Sequence, residues 1–109
     1  MHNIIDITPE NFQQVILQDS QTQVVMVEFW AEGYEPSQQL APVLVNVAAK
    51  FNGHLLHARV DCQQQQEIAG QFGVQNLPTV ILVKEGKPID GFAGVQTEEQ
   101  IIATFEKHL

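Results

Sequence analysis

The chain has 109 residues and a formal net charge of -8, with five lysines and arginines against thirteen aspartates and glutamates. That length suits one domain, and a 44% hydrophobic content belongs to a globular fold rather than a disordered one. So few basic residues argue against nucleic acid or an anionic membrane as partner, and a single cysteine excludes an intramolecular disulfide and suits a reducing compartment.

Ile4, Ile5 and Ile7 predict a short first strand. Thr8 then offers an N-cap and Pro9 suits the first helical position, with Phe12, Val15 and Ile16 as the stripe of a helix. The polar segment 19–23 ends it. Val24 to Trp30 is a continuous apolar run rich in valine and reads as a strand buried on both faces. A turn with Gly33 and Pro36 follows. Beyond it Leu40, Val43, Leu44, Val47, Ala48 and Phe51 recur at helical spacing and form one core-facing stripe, stopped by Asn52-Gly53.

Residues 54–60 predict a further strand. Asp61 resembles an N-cap with Gln64 as its capping-box partner, opening a helix with a narrow face of Ile68, Ala69 and Phe72 that ends at Gly73. The glutamines at 63–66 read as its solvated face, too short a run for low complexity. Leu77-Pro78-Thr79 leads into a buried strand at 80–83, Glu85-Gly86 predicts a hairpin turn, and 89–92 the returning edge strand, with Pro88 tolerable at its start. Thr97 and Gln100 form a second capping box before a helix with Ile101, Ile102 and Phe105 inward. The order is βαβαβαββα, in which strands alternating with helices imply parallel crossovers and the final hairpin adds antiparallel strands.

This order resembles the thioredoxin family along essentially the whole chain. Phe29, Trp30, Ala31 and Glu32 match the end of that family's central strand, Gly33 replaces its second tryptophan, and Pro42 stands where a proline kinks the following helix. Leu77-Pro78-Thr79 matches the cis-proline segment, Gly86 the hairpin glycine and Gly94 the glycine before the last helix. The resemblance implies a thioredoxin-like α/β fold: one domain over 1–109, with a five-stranded mixed sheet in order 1-3-2-4-5, four flanking helices and a cis bond at Pro78.

The family's redox turn is Trp-Cys-Gly-Pro-Cys, and here it reads Tyr34, Glu35, Pro36, Ser37. Attack and resolution of a mixed disulfide need two thiols, so dithiol-disulfide oxidoreductase chemistry is excluded by composition. Ser37 has no motif placing a base beside it and reads as an N-cap or first-turn residue of the helix. Cys62 has two readings. As the first residue of a helix it would be favoured as a thiolate; as a half-buried structural cysteine it would be inert, and Asp61 beside it opposes ionisation.

Val60-Asp61-Cys62, the phrase Ala69-Gly70-Gln71-Phe72-Gly73-Val74, and Pro88-Ile89-Asp90-Gly91-Phe92 with Gly94 resemble more narrowly the N-terminal domain of chaperedoxins. These are bacterial cytoplasmic co-chaperones in which a thioredoxin domain precedes helical repeats. That resemblance implies a module that holds unfolding clients, a cysteine at the position of Cys62 that joins mixed disulfides with them, and a longer repeat-containing chain. The thioredoxin resemblance also implies a buried carboxylate at Glu28 beneath the turn, with His57 at the position of its partner lysine. Without a dithiol to serve, the two read as a structural polar pair.

The same resemblance places Trp30, Tyr34, Pro36, Leu77, Pro78, Gly94 and Val95 around a groove that holds an extended client segment. The plainer alternative packs Trp30 into the core and leaves the rest as loop surface. No metal site or cofactor is expected: His2, His54, His57 and His108 are scattered, and no glycine-rich phosphate loop follows any strand. The N-terminal residues 1–12 lack a signal peptide and no apolar run reaches membrane-spanning length, so a cytoplasmic location is expected. The expected function is a non-enzymatic module for unfolded or partner proteins, with a thiol role for Cys62 or a structural docking domain as the alternatives.

Overall fold

The structure, a computed structural model, describes residues 4–109. Five strands, β1 (Ile4–Asp6), β2 (Val24–Trp30), β3 (Leu55–Asp61), β4 (Thr79–Lys84) and β5 (Lys87–Ala93), form one sheet in the order β1-β3-β2-β4-β5. β3 runs parallel to β1 and β2, whereas β4 runs antiparallel to β2 and β5. Four helices flank it: α1 (Gln13–Gln18), α2 (Glu35–Lys50), α3 (Gln66–Gln71) and α4 (Glu98–Glu106). This is the mixed sheet and helix set that the resemblance implied.

Strand alternation divides the core in two. Val25, Val27 and Phe29 of β2 join Ala58 and Val60 of β3 beneath Val15 and Ile16 of α1 and Ile68 of α3. Val24 and Met26 face the other way, onto Leu40, Leu44 and Val47 of α2 and Ile101 and Phe105 of α4. The central strand is therefore covered on both faces, as its unbroken apolar pattern predicts. No helix among the described residues is long and apolar enough to cross a membrane.

Local chemistry explains where the elements begin and end. The first helix does not start at Thr8. Asn11 Oδ1 accepts the Thr8 N–H at 2.8 Å and its Nδ2 donates to the Asp6 carbonyl at 2.9 Å, which holds residues 8–11 in a turn and delays α1 to Gln13. α1 is wound with wide π-type turns and runs into a 3₁₀ turn at Asp19–Gln21. There the Ser20 hydroxyl donates to Ile16 O at 2.6 Å and accepts the Gly86 N–H at 2.8 Å, tying this helix to the β4–β5 hairpin. In the hairpin Glu85 (φ 53°) and Gly86 (φ 78°) are both left-handed, the conformation of a two-residue primed turn. The returning strand is longer than 89–92 and takes in Pro88, with a bulge opposite Leu82 and Val83. α4 opens with the predicted box: Thr97 Oγ1 accepts the Gln100 N–H at 3.1 Å and Gln100 Oε1 accepts the Thr97 N–H at 3.0 Å.

Candidate functional site

The carboxyl ends of β2 and β3 meet the amino end of β4 at one end of the sheet, where Trp30 pairs with Asp61 and Phe29 with Thr79. Gly33 (φ 78°) lets the chain turn back after Trp30, and Tyr34 in extended conformation precedes α2. The Tyr34 carbonyl accepts the N–H groups of Ser37 and Gln38 at 3.0 and 3.3 Å, and its side chain is 47% exposed. Glu35 and Pro36 fill the first two helical positions. Ser37 is buried, and its hydroxyl accepts the Ala31 N–H at 3.4 Å. It ties down the turn from within the first turn of the helix, whose N-cap is Tyr34 and not Ser37.

Opposite this turn the Leu77–Pro78 peptide is cis, as the family resemblance implied. Pro78 is buried and its carbonyl accepts the Gly94 N–H at 2.8 Å. Thr79 Oγ1 donates to Asn76 O at 2.5 Å, closing the segment before β4. Leu77 between them is different. Among the described residues neither its N–H nor its C=O takes a hydrogen bond, although its side chain is half-buried. Val95, just past Gly94, is 47% exposed. Tyr34 and Val95 are thus the exposed apolar side chains here, Trp30, Pro36, Leu77 and Gly94 are half-buried, and Pro78 is interior. A cleft of about 310 Å³ joins Leu77 to Cys62, Val74 and Ala69, and one of about 280 Å³ joins Trp30 to Glu32, Gly33 and Arg59. Neither cleft takes in Tyr34 or Val95.

Beneath Trp30 lies a buried polar cluster. Glu28 and His57 are both almost fully buried, with His57 Nε2 3.0 Å from Glu28 Oε1. The predicted pair is present but has a third member. Arg59 Nε donates to Glu28 Oε1 at 3.0 Å and Nη2 to Oε2 at 3.4 Å. The register sets Glu28 directly across from Arg59 and Met26 across from His57, so the cation facing Glu28 on the neighbouring strand is Arg59, not His57. Sequence reasoning missed Arg59; its signal was its place two residues after His57, on the same face of β3. The Arg59 guanidinium also lies over the Trp30 ring, 4.3 Å from its centroid, while the Trp30 indole N–H is buried without a hydrogen-bond partner among the described residues.

Cys62 is not the first residue of a helix. Asp61 is still part of β3, the Cys62 N–H donates to the Trp30 carbonyl at 2.9 Å, and Asp61 Oδ1 accepts the Gln63 N–H at 3.0 Å. That turn replaces the predicted capping box, and α3 begins only at Gln66, so Cys62 does not sit in the first turn of a helix. Burial, then the Asp61 carboxylate, push the Cys62 thiol up, against a hydrogen bond from the Trp30 backbone that lowers it. The geometry favours a thiol over a thiolate. Of the histidines, His2 lies outside the described residues. Among the described residues no three His, Cys, Asp or Glu side chains are grouped to hold a metal ion.

The thioredoxin family model matches residues 3–107. The chain belongs to the thioredoxin family. A thioredoxin of Staphylococcus saprophyticus is 34% identical to it over 106 residues, covering 97% of this chain and 98% of that one. A thioredoxin of Chlorobaculum thiosulfatiphilum is 31% identical over 102 residues, covering 94% and 93%. Among solved structures, the thioredoxin of Malassezia sympodialis superposes with a TM-score of 0.87 over 99% of this chain and 92% of that one. At 24% identity that likeness shows the fold alone.

Within the thioredoxin family this chain departs at the turn. Tyr34 and Ser37 stand at the cysteine positions that the resemblance assigned, and the one thiol, Cys62, sits beyond the end of β3. An internal dithiol cannot form.

Proposed function

We propose that this thioredoxin-family chain is a protein-binding module that holds an extended polypeptide segment at Leu77, in the manner of a co-chaperone domain. The observation that carries the reading is the free backbone of Leu77. Leu77 lies in the bend before β4, and its N–H and C=O, unpaired among the described residues, suit strand addition, in which main-chain bonds give affinity and neighbouring side chains give preference. Tyr34 and Val95 supply exposed apolar contact there, and tyrosine combines a large apolar face with a hydroxyl that tolerates water. The narrower resemblance to chaperedoxin domains supports unfolded proteins as the partners, cytoplasmic location and continuation into a repeat region.

The test is suppression of light scattering by a denatured, aggregation-prone protein diluted into this chain. Tyr34→Ala and Val95→Asp are expected to lose most of the suppression and Cys62→Ser to retain it. Full suppression by the first two variants, or loss confined to Cys62→Ser, contradicts the reading.

A second reading gives Cys62 a covalent role, and the cleft that joins it to Leu77 favours it. The Cys62 thiolate would attack a client disulfide, forming one bond to the nearer sulfur and releasing the other as a thiolate. Its raised pKa keeps that reading second.

A further inference from the structure

The charges around the site are one-sided. Glu32 and Glu35 are exposed on the turn before α2 and at its first residue, and Asp61 ends β3 beside Cys62. Among the described residues none of the three has a cation within ion-pair distance. Among the described residues the one lysine or arginine at this end is Arg59, already committed to Glu28 and to the face of Trp30. Every lysine lies elsewhere. Lys84 and Lys87 frame the hairpin at the far end of β4, and Lys107 adjoins His108, whose carbonyl accepts from Lys84 Nζ. Lys50 closes α2, about 22 Å along the helix from Glu35, and is bound to Glu98 at 2.6 Å.

Resting on the reading of the groove above, we propose that the segment taken there is basic as well as apolar. Its apolar residue lies against Tyr34 and Val95, and a lysine or arginine beside it pairs with Glu32, Glu35 or Asp61. Two clefts that share Trp30 and Arg59 extend past the turn, one lined by Glu32 and the other by Asp61, so a chain crossing Trp30 meets carboxylates on either side. With Arg59 withdrawn onto Glu28, nothing at this end neutralises them and an acidic segment is repelled. Charge at the rim of an apolar contact selects partners and speeds their encounter more than it adds affinity.

The test uses fluorescence anisotropy of short labelled peptides sharing one apolar core and flanked by lysines, glutamines or glutamates. Two triple variants remove the same charge from different places: Glu32→Gln/Glu35→Gln/Asp61→Asn at the site, and Glu85→Gln/Glu99→Gln/Glu106→Gln on exposed positions elsewhere. The native chain is expected to prefer the lysine-flanked peptide. The site triple is expected to lose about tenfold in affinity for it, and the distant triple no more than about twofold. Equal losses in the two triples would show an effect of net charge alone and overturn the proposal, as would equal binding of the lysine and glutamine peptides. If the glutamine peptide binds and Tyr34→Ala abolishes that binding, the groove stands whatever the charge preference. If no peptide binds, the groove falls too.

Discussion

Arg59 covers the face of Trp30, its guanidinium carbon 4.3 Å from the ring centroid. The same guanidinium donates two hydrogen bonds to Glu28, so one side chain fixes both the tryptophan beside the turn and the buried carboxylate beneath it. Removing one partner of a buried ion pair leaves an uncompensated charge. Arg59→Met is expected to destabilise the fold by about 3 kcal/mol, read from the urea midpoint at unchanged slope. Glu28→Gln in the same chain should recover part of that loss, because the charge is then gone. Strictly additive single and double variants would show that the two side chains do not interact.

This cluster also marks where the sequence stops being legible. Glu28 came from the family resemblance, and the full set of its partners depends on strand register, which local pattern does not contain. The resemblance placed His57 beside Glu28, and it is there at 3.0 Å, but the register adds Arg59 directly across the strand. The Thr97–Gln100 box was read correctly because both its bonds lie within four residues. Asp61 and Gln64 carry the same pattern, but a tertiary bond, Cys62 N–H to Trp30 O, keeps Asp61 in the strand. Thr8 gave way to Asn11 for a similar reason, since the amide of Asn11 reaches back to the carbonyl of Asp6 in β1. The sheet order and the cis bond came from resemblance, not from periodicity. The open backbone of Leu77 had no signal in periodicity; only the family resemblance, which set Leu77 beside the cis-proline in the groove, pointed there.

Cys62 tests the difference between a strand end and a helix start. With its pKa raised by burial and by Asp61, its alkylation in the native protein should titrate above the reference of about 8.5 and slow relative to the denatured chain. A raised folded pKa also means that its contribution to stability is present below the unfolded pKa and is lost as pH rises through the folded one. Asp61→Asn should bring the titration down. A native thiol that titrates below the reference would return Cys62 to the leading chemical role.

A second titration concerns the end of the chain. His108 Nε2 lies 2.9 Å from Asp90 Oδ2, and this hydrogen bond, followed by the Gly91 N–H, holds the Asp90 carboxyl below its usual range. Because the folded pKa is lowered, the linked stability is present above the unfolded pKa and disappears as pH falls through the folded one. The Asp90 side chain is 29% exposed, so water screens the contact and the effect on stability is small. The direct readout is the Asp90 carboxyl titration by NMR, which His108→Ala should move upward. An unchanged Asp90 titration contradicts the contact.

Two glycines should respond in opposite directions. A Cβ on Gly91 would sit 2.8 Å from the Val80 carbonyl oxygen, backbone against backbone across β4 and β5. Gly91→Ala should destabilise by about 1–3 kcal/mol. Gly70 lies in α3 with nothing within 4 Å of its Cβ position, so Gly70→Ala should stabilise by about 0.5–1 kcal/mol. Thermal unfolding of the pair measures both, and a tolerated Gly91→Ala would mean that β5 can move away from β4.

Binding at Leu77 is read most directly from its own amide. Titration of the ¹⁵N-labelled chain with the glutamine-flanked apolar peptide should shift the amides of Leu77, Tyr34 and Val95 together, and protect the Leu77 N–H from hydrogen exchange. Shifts confined to the separate cleft between α1 and α3, around Phe12, Leu17 and Ile68, or an unprotected Leu77 amide at saturation, would contradict strand addition at this segment.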